Sequence, residues 1–578
     1  MRISLQVVSE EDIALLRRTV ESWSREDKSQ WYCLLAQLRQ HERLGFLYDR
    51  LVSNKNPIPF RSLLRIIERH GVNCIVVEHP YLDVEFWDAY AHFHSRSFRE
   101  QPKRGWRLHF FRATKPNANL LPEMLYNGKN QQELEQKGFS YYGFATVRPT
   151  SSFNLGRVAV PFDLFDEGRS IFLKGQGKQF AHVAASQLDV ETVPFIQQDP
   201  VAGVCATASM WVASHVLATK FDLHKYPYIA ITRRAMRNGS HDSGGGGLLF
   251  DEESLDRGLT AQAICDALSI TGANPVCFMT RDLADPGRVP AVTRDLIYTF
   301  VESELPVIVC LAKPDVRGGH AVAVIGHLQS RICDSSEMKK CTVAEVCSGK
   351  PRRHFLVSQA VSSFYAHDDR YGPFNRLEFS LECPDCRYLC PVLIEEPDSD
   401  KPQWSDIRAL IVPMPPYVKN SPQNIVRDAW FRFTRVFGGL LNPEDRVLWR
   451  IFLVNGSRFK QSLVKRYPRK VTRQYGEIHL PKYIWLCEIS IFQERDFERF
   501  FNADSTHPRP VCGEFIYDTT TPFYETLPIV QRFREYLVTD IHSDIIPSAA
   551  MQENLEKSKI PDYIWDGESN CFTGSPQI

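Results

Sequence analysis

The chain has 578 residues, a length that suits two to four domains. Apolar residues make up 43 % and charged residues 24 %, which excludes a disordered or fibrous chain. The 69 basic residues balance 69 acidic ones, so a broad nucleic-acid or membrane-binding surface is not expected.

The opening, "MRISLQVVSEEDIALLRRTV", breaks into charge within a dozen residues. It has no apolar core ahead of a small-residue cleavage site, so it does not read as a secretory signal. No apolar run reaches the roughly 18 residues of a spanning helix. The expected location is the cytoplasm, without membrane contact. In that reducing compartment most of the 15 cysteines read as small core hydrophobes, for example Cys74 in "VNCIVVE" and Cys310 in "VIVCLA".

"DIALLRRTVESW" and "FRSLLRIIERHG" place apolar residues three and four apart and predict helices, the second ending at Gly71. "NCIVVEHPYLD" predicts a buried strand, "VEFWDAYAHFHSRSF" a helix and "WRLHFFRA" a strand. From "FSYYGFATVRPT" to Pro200 turn residues multiply and strands dominate. Helices are predicted after Cys205 and at "TAQAICDALSITG", and core strands at "PVIVCLA", "GGHAVAVIGHL" and "RHFLVSQAVSSFYAH". Four consecutive glycines within residues 237–254, "RNGSHDSGGGGLLFDEES", predict an irregular insertion. "EEPDSDKPQWSD", after about residue 395, reads as a linker. Beyond it, "IVRDAWFRFTRVF" is a one-faced helix, and "VLWRIFLVNG" and "KYIWLCEISIF" are strands of a third, α/β-type unit.

One constellation carries chemistry. Cys205, in "QQDPVAGVCATASMWVAS", stands at the start of a predicted helix. There the positive end of the helix dipole and unpaired backbone N–H groups favour a thiolate and can hold a developing oxyanion. His320 follows two glycines at the start of a core strand and is the candidate base. Asp368 and Asp369, in "HDDRYGPF", are candidate acceptors that would orient it. Strand alternation allows only one of them to face His320. Gln197 or Gln198 is a candidate second oxyanion donor.

Gln, Cys on a helix, His on a strand and Asp on the next strand, in that order, resemble papain-like cysteine peptidases. "FIQQDPVAGVCATASMWV" and "ELPVIVCLAKPDVRGGHAVAVIGH" are similar to the peptidases that trim bacteriocin leader peptides, and to their bacterial relatives. The resemblance spans residues 190 to 380. It implies a nucleophile at Cys205, a base at His320, an orienting Asp369, which stands three residues before Gly372, ahead of Asp368, and Gln198 as the oxyanion donor. It also implies an α+β fold. A papain-like central domain, with the Cys-bearing helix packed on an antiparallel sheet, would span 138–395. Two mixed α/β domains, 1–137 and 396–578, would flank it.

The expected function is a cysteine-dependent hydrolase, a peptidase working through a thioester, with no cofactor and no catalytic metal. Its partners are a protein or peptide substrate and a protein bound by the flanking domains. An acyl or amide transferase with the same triad, or a silent papain-like binding scaffold, are the alternatives. "LECPDCRYLC" offers Cys383, Cys386 and Cys390 as a half zinc knuckle or as a loop of free thiols. The basic runs "QPKRGW" and "KQSLVKRYPRKVTRQYG" read as solvated faces rather than nucleic-acid sites.

Overall fold

The structure, a computed structural model, describes residues 4–22, 37–41, 45, 47, 58–92, 95, 102–114, 120–149, 155–162, 165–166, 169–198, 205–239, 259–280, 289–312, 319–329, 354–379, 388–392, 405–437, 441, 445–466, 469–493, 511–520, 528–533, 536–538, 564–566 and 571–573. Among these, no helix is long and apolar enough to cross a membrane. Helices and mainly antiparallel strands are mixed, so the architecture is α+β.

β1 (Ser4–Val8) leads into α1 (Glu10–Glu21). A reciprocal cap starts that helix: Ser9 Oγ accepts the Asp12 N–H at 3.3 Å, and the Asp12 carboxylate accepts the Ser9 N–H at 3.0 Å. α2 (Ile58–Arg69) buries Leu63, Leu64, Ile66 and Ile67, the face its periodicity predicts. Next come β2 (Cys74–Tyr81), α3 (Val84–His92), β3 (Gly105–Ala113), α4 (Leu120–Tyr126), α5 (Gln131–Gln136), β4 (Phe139–Val147) and β5 (Leu155–Ala159). They are followed by β6 (Phe165–Asp166), β7 (Arg169–Leu173), the hairpin of β8 (Gly177–Val183) and β9 (Ser186–Thr192), and β10 (Phe195–Ile196). The first sheet has the order β1-β2-β3-β4-β5-β10 and is antiparallel throughout.

α6 (Cys205–Phe221), α7 (Tyr228–Gly239), α8 (Ala261–Leu268), β11 (Asn274–Met279) and α9 (Val289–Glu302) open the next stretch. β12 (Val307–Ala312), β13 (Gly319–Gln329), β14 (His354–Leu356), β15 (Val361–Asp368), β16 (Gly372–Phe379), β17 (Tyr388–Val392) and β18 (Ser405–Met414) continue it. β12, β13, β15, β16, β17 and β18 pair antiparallel in a closed circuit, with β11 branching from β18 and β7 from β13. The expected strand "RHFLVSQAVSSFYAH" is two strands, β14 and β15, parted by a 3-10 turn at Val357–Ala360.

The third sheet is built from α10 (Pro422–Phe437), β19 (Asp445–Asn455), α11 (Gly456–Arg466), α12 (Arg469–Glu477), β20 (Tyr483–Gln493), β21 (Gly513–Asp518), β22 (Pro528–Phe533) and β23 (Tyr536–Val538). Its order is β14-β19-β20-β21-β22-β23, and only β14–β19 is parallel. β24 (Ile564–Asp566) and β25 (Cys571–Thr573) pair with each other.

Sheet membership does not follow the expected divisions at 137/138 and 395/396. β4, β5 and β10 lie beyond residue 137 yet complete the first sheet. β18 lies beyond 395 yet closes the second sheet's circuit, and β14 belongs to the third sheet. The reason is burial. One apolar core holds Val77 and Phe110 of the first sheet together with Trp211 of α6 and Ala321 of β13. A second joins Val309 and Phe364 to Trp449 and Trp485.

Candidate functional site

Cys205 opens α6, a helix of small and apolar residues that is buried on nearly every side. Such a helix is held by tertiary packing rather than by an amphipathic face. Ser209, one turn beyond Cys205, donates Oγ–H to the carbonyl of Ala321 at 3.0 Å. That contact clamps the start of α6 to β13 beside His320. Trp211 Nε1 donates to Glu85 Oε1 of α3 at 3.0 Å, and the N–H of Tyr228 donates to Glu85 Oε2 at 2.7 Å. Cys205 itself is half-buried against the core.

His320 stands near the start of β13, paired with Leu311 of β12. Its side chain is only one-tenth exposed. Nε2 donates to Asp368 Oδ1 at 2.9 Å, and the same oxygen accepts the Arg370 N–H at 2.8 Å. Asp369 Oδ1 lies 3.9 Å from Nδ1 and, like Nδ1, has no hydrogen-bond partner. The bond to His320 is therefore made by Asp368, not by the Asp369 favoured from the resemblance. The pairing of β15 with β16 shifts register between Ala366 and Asp368, and β15 ends at Asp368. Alternation no longer applies there, and both carboxylates face the imidazole. Gly372 closes the turn with φ +108°, where a Cβ would meet Pro59 of α2 at 3.0 Å.

Burial alone would lower the His320 pKa, but the Asp368 charge and hydrogen bond, the Cys205 thiol and the Asp369 charge outweigh it and raise it to about 10. Burial would also raise Asp368, yet the His320 charge, its hydrogen bond and the Arg370 N–H hold it below the ordinary value. Burial pushes Asp369 up; the His320 charge pulls the other way and the Asp368 charge adds to the rise. The His320 imidazole is thus charged at neutral pH, and the Cys205 thiol is among the groups that favour that charge.

Gln197 and Gln198 follow β10. Arg148, just beyond β4, donates to both their carbonyls, Nη2 to Gln197 at 2.8 Å and Nη1 to Gln198 at 3.3 Å. Gln198, favoured from the resemblance, is half-buried. Gln197 is buried, its Oε1 accepts the Leu155 N–H at 3.2 Å, and its Nε2 has no partner. Gln197 thus holds a buried amide N–H group without an acceptor.

The neighbouring histidines are structural. His215 Nδ1 bonds the Trp211 carbonyl at 2.9 Å, and burial takes its pKa well below the ordinary value. His327 Nε2 bonds Glu302 at 2.9 Å. His367 uses both ring nitrogens, on the Val193 carbonyl at 3.0 Å and the Phe374 N–H at 3.2 Å. Burial pushes the thiols of Cys74, Cys265 and Cys310 up to about 12, which leaves them protonated and inert.

Cys383 and Cys386, and residues 240–258 of the glycine-rich stretch, lie outside the described residues; Cys390 is in β17 with its side chain outside them. The second basic run forms α11 and α12, where Lys460 Nζ donates to the Gly476 carbonyl at 3.3 Å and Arg473 pairs with Glu477 at 3.3 Å. No protein-family model, no curated protein and no solved structure matches the chain.

Proposed function

We propose that this protein is a cysteine-dependent hydrolase of the papain-like kind, a cytoplasmic peptidase with Cys205 as nucleophile. The observation that carries the reading is the hydrogen bond of the buried His320 Nε2 to Asp368 at 2.9 Å, with the Cys205 thiol at the start of α6 among the groups that raise the His320 pKa. A thiol at a helix start, a buried imidazole and a buried carboxylate on the far nitrogen form a nucleophile, base and orienter.

In the reaction the neutral form of His320 takes the thiol proton, and the Cys205 sulfur attacks the scissile carbonyl carbon. The carbonyl oxygen gains the charge and is held by N–H groups at the start of α6 and by the Gln197 amide. The C–N bond breaks as the imidazolium returns the proton to the leaving amine. Water, deprotonated by His320, then attacks the thioester carbon and releases the acid and the free thiol. Asp368 fixes the imidazole orientation throughout and supports its charge.

The test is selective alkylation by an electrophilic thiol probe at neutral pH, read peptide by peptide. Cys205 should react at least tenfold faster than the exposed Cys277, and Cys205→Ala should abolish hydrolysis of peptides that the parent cleaves while costing under about 1 kcal/mol of stability, because a half-buried sulfur contributes little packing. Equal labelling of the two thiols, or a fully active Cys205→Ala, overturns the assignment.

A further inference from the structure

α9 carries Asp295 in the middle of its length, where aspartate is a poor helix former. Asp295 is half-buried at the wall of a cleft between α9, the turn after β14, α10 and β19. The cleft holds about 790 Å³ of empty space, its open mouth included, which suits one small molecule. Leu356, Val426, Trp449 and Ile451 give it a mainly apolar lining.

One carboxylate stands in that lining. Ser358 donates Oγ–H to Asp295 Oδ1, a bond that needs one oxygen and no charge. Oδ2 is buried and has no hydrogen-bond partner, and no ion pair engages the carboxylate among the described residues. Arg294 is the adjacent residue, and consecutive positions on a helix do not face each other. Burial pushes the Asp295 pKa up, while the Arg294 charge and the Ser358 hydrogen bond hold it back. A buried carboxylate without a counter-charge is a cost to the fold, and a cation bound beside it offsets that cost.

We propose that this cleft binds a small organic cation, a protonated amine on an apolar or aromatic body, with Asp295 as its counter-charge. The apolar walls take the body and the carboxylate takes the ammonium group. None of these residues belongs to the site around Cys205, so the proposal stands apart from the hydrolase reading.

The test is calorimetric titration of the purified full chain at neutral pH with phenethylamine and tryptamine, and with the carboxylates that carry the same aryl-ethyl bodies. At least one amine should bind at least tenfold more tightly than its carboxylate counterpart. Asp295→Asn, with folding checked by its thermal midpoint, should weaken amine binding at least tenfold. Val426→Phe, which fills the cleft and leaves the carboxylate in place, should abolish it. A parent that does not prefer the amines overturns the proposal, whether or not a variant folds. So does a folded Asp295→Asn that binds them as tightly as the parent. Amine binding unchanged in Val426→Phe would put the cation elsewhere on the chain and equally overturn the assignment.

Discussion

Asp368→Asn separates the orienting role from mere packing. The substitution keeps the side chain's shape and removes its charge from a site that is 2 % exposed. A hydrogen bond to a charged group contributes about 1.5–3 kcal/mol. At about 1.4 kcal/mol per unit, that lowers the His320 pKa by roughly 1–2 units. The imidazolium that supports a thiolate at Cys205 then forms less readily. From about 10, this shift leaves the imidazolium in place at pH 7 but removes it roughly 1–2 units earlier on the alkaline side, so the pH profile of Cys205 alkylation should change between about pH 8 and 9 with little change at pH 7. Asp369→Asn should move the profile less, because Asp369 stands 3.9 Å from Nδ1 without a hydrogen bond. The assay is the second-order rate of iodoacetamide labelling of the Cys205 peptide between pH 5 and 9. An unshifted profile in Asp368→Asn, or a larger shift in Asp369→Asn, refutes the reasoning.

Gln197→Ala should lower turnover by about 10²–10³ while leaving Cys205 alkylation unchanged, and Gln198→Ala should be close to silent; the reverse order would return the donor role to Gln198. His320 has a folded pKa of about 10 against 6.5 unfolded, so its contribution to stability is complete below pH 6.5 and is lost as pH rises toward 10. The thermal midpoint should therefore fall between pH 7 and 10 more steeply in the parent than in His320→Gln. Glu302 is buried between Arg450 and Lys174 and accepts from His327, so Glu302→Ala should cost about 3–5 kcal/mol in guanidinium unfolding. A loss under about 1 kcal/mol would mean that solvent reaches this network.

Legibility differed from residue to residue. The helix after Cys205 and the strands at "PVIVCLA" and "GGHAVAVIGHL" were readable because their composition and periodicity are local properties. So was the order of Cys, His and Asp. Which aspartates face His320 was not, because a register shift between Ala366 and Asp368 breaks the alternation that would turn one of them away. Sheet membership is a matter of distant pairing: β18 closes against β12 roughly a hundred residues away, and β14 joins β19 in parallel. The short helix α5 did leave a signal, in Asn130 and Glu133 at capping-box spacing, where each side chain accepts the other's backbone N–H.

The contact of Glu85 with Trp211 and Tyr228 has a consequence for how this chain can be dissected. An excised fragment beginning at residue 138 would strand the Trp211 indole N–H and strip Pro59 from the turn that presents Asp368. It would also leave β4 without β3, exposing a long sheet edge that invites aggregation. The segment that carries Cys205, His320 and Asp368 is thus not a portable cassette. The three residues stand at positions 205, 320 and 368, and contacts that hold α6 and the turn after Asp368 come from residues before 100. Assembly of the site must wait for contacts across more than a hundred residues, so reactivity at Cys205 should be among the last properties gained in refolding.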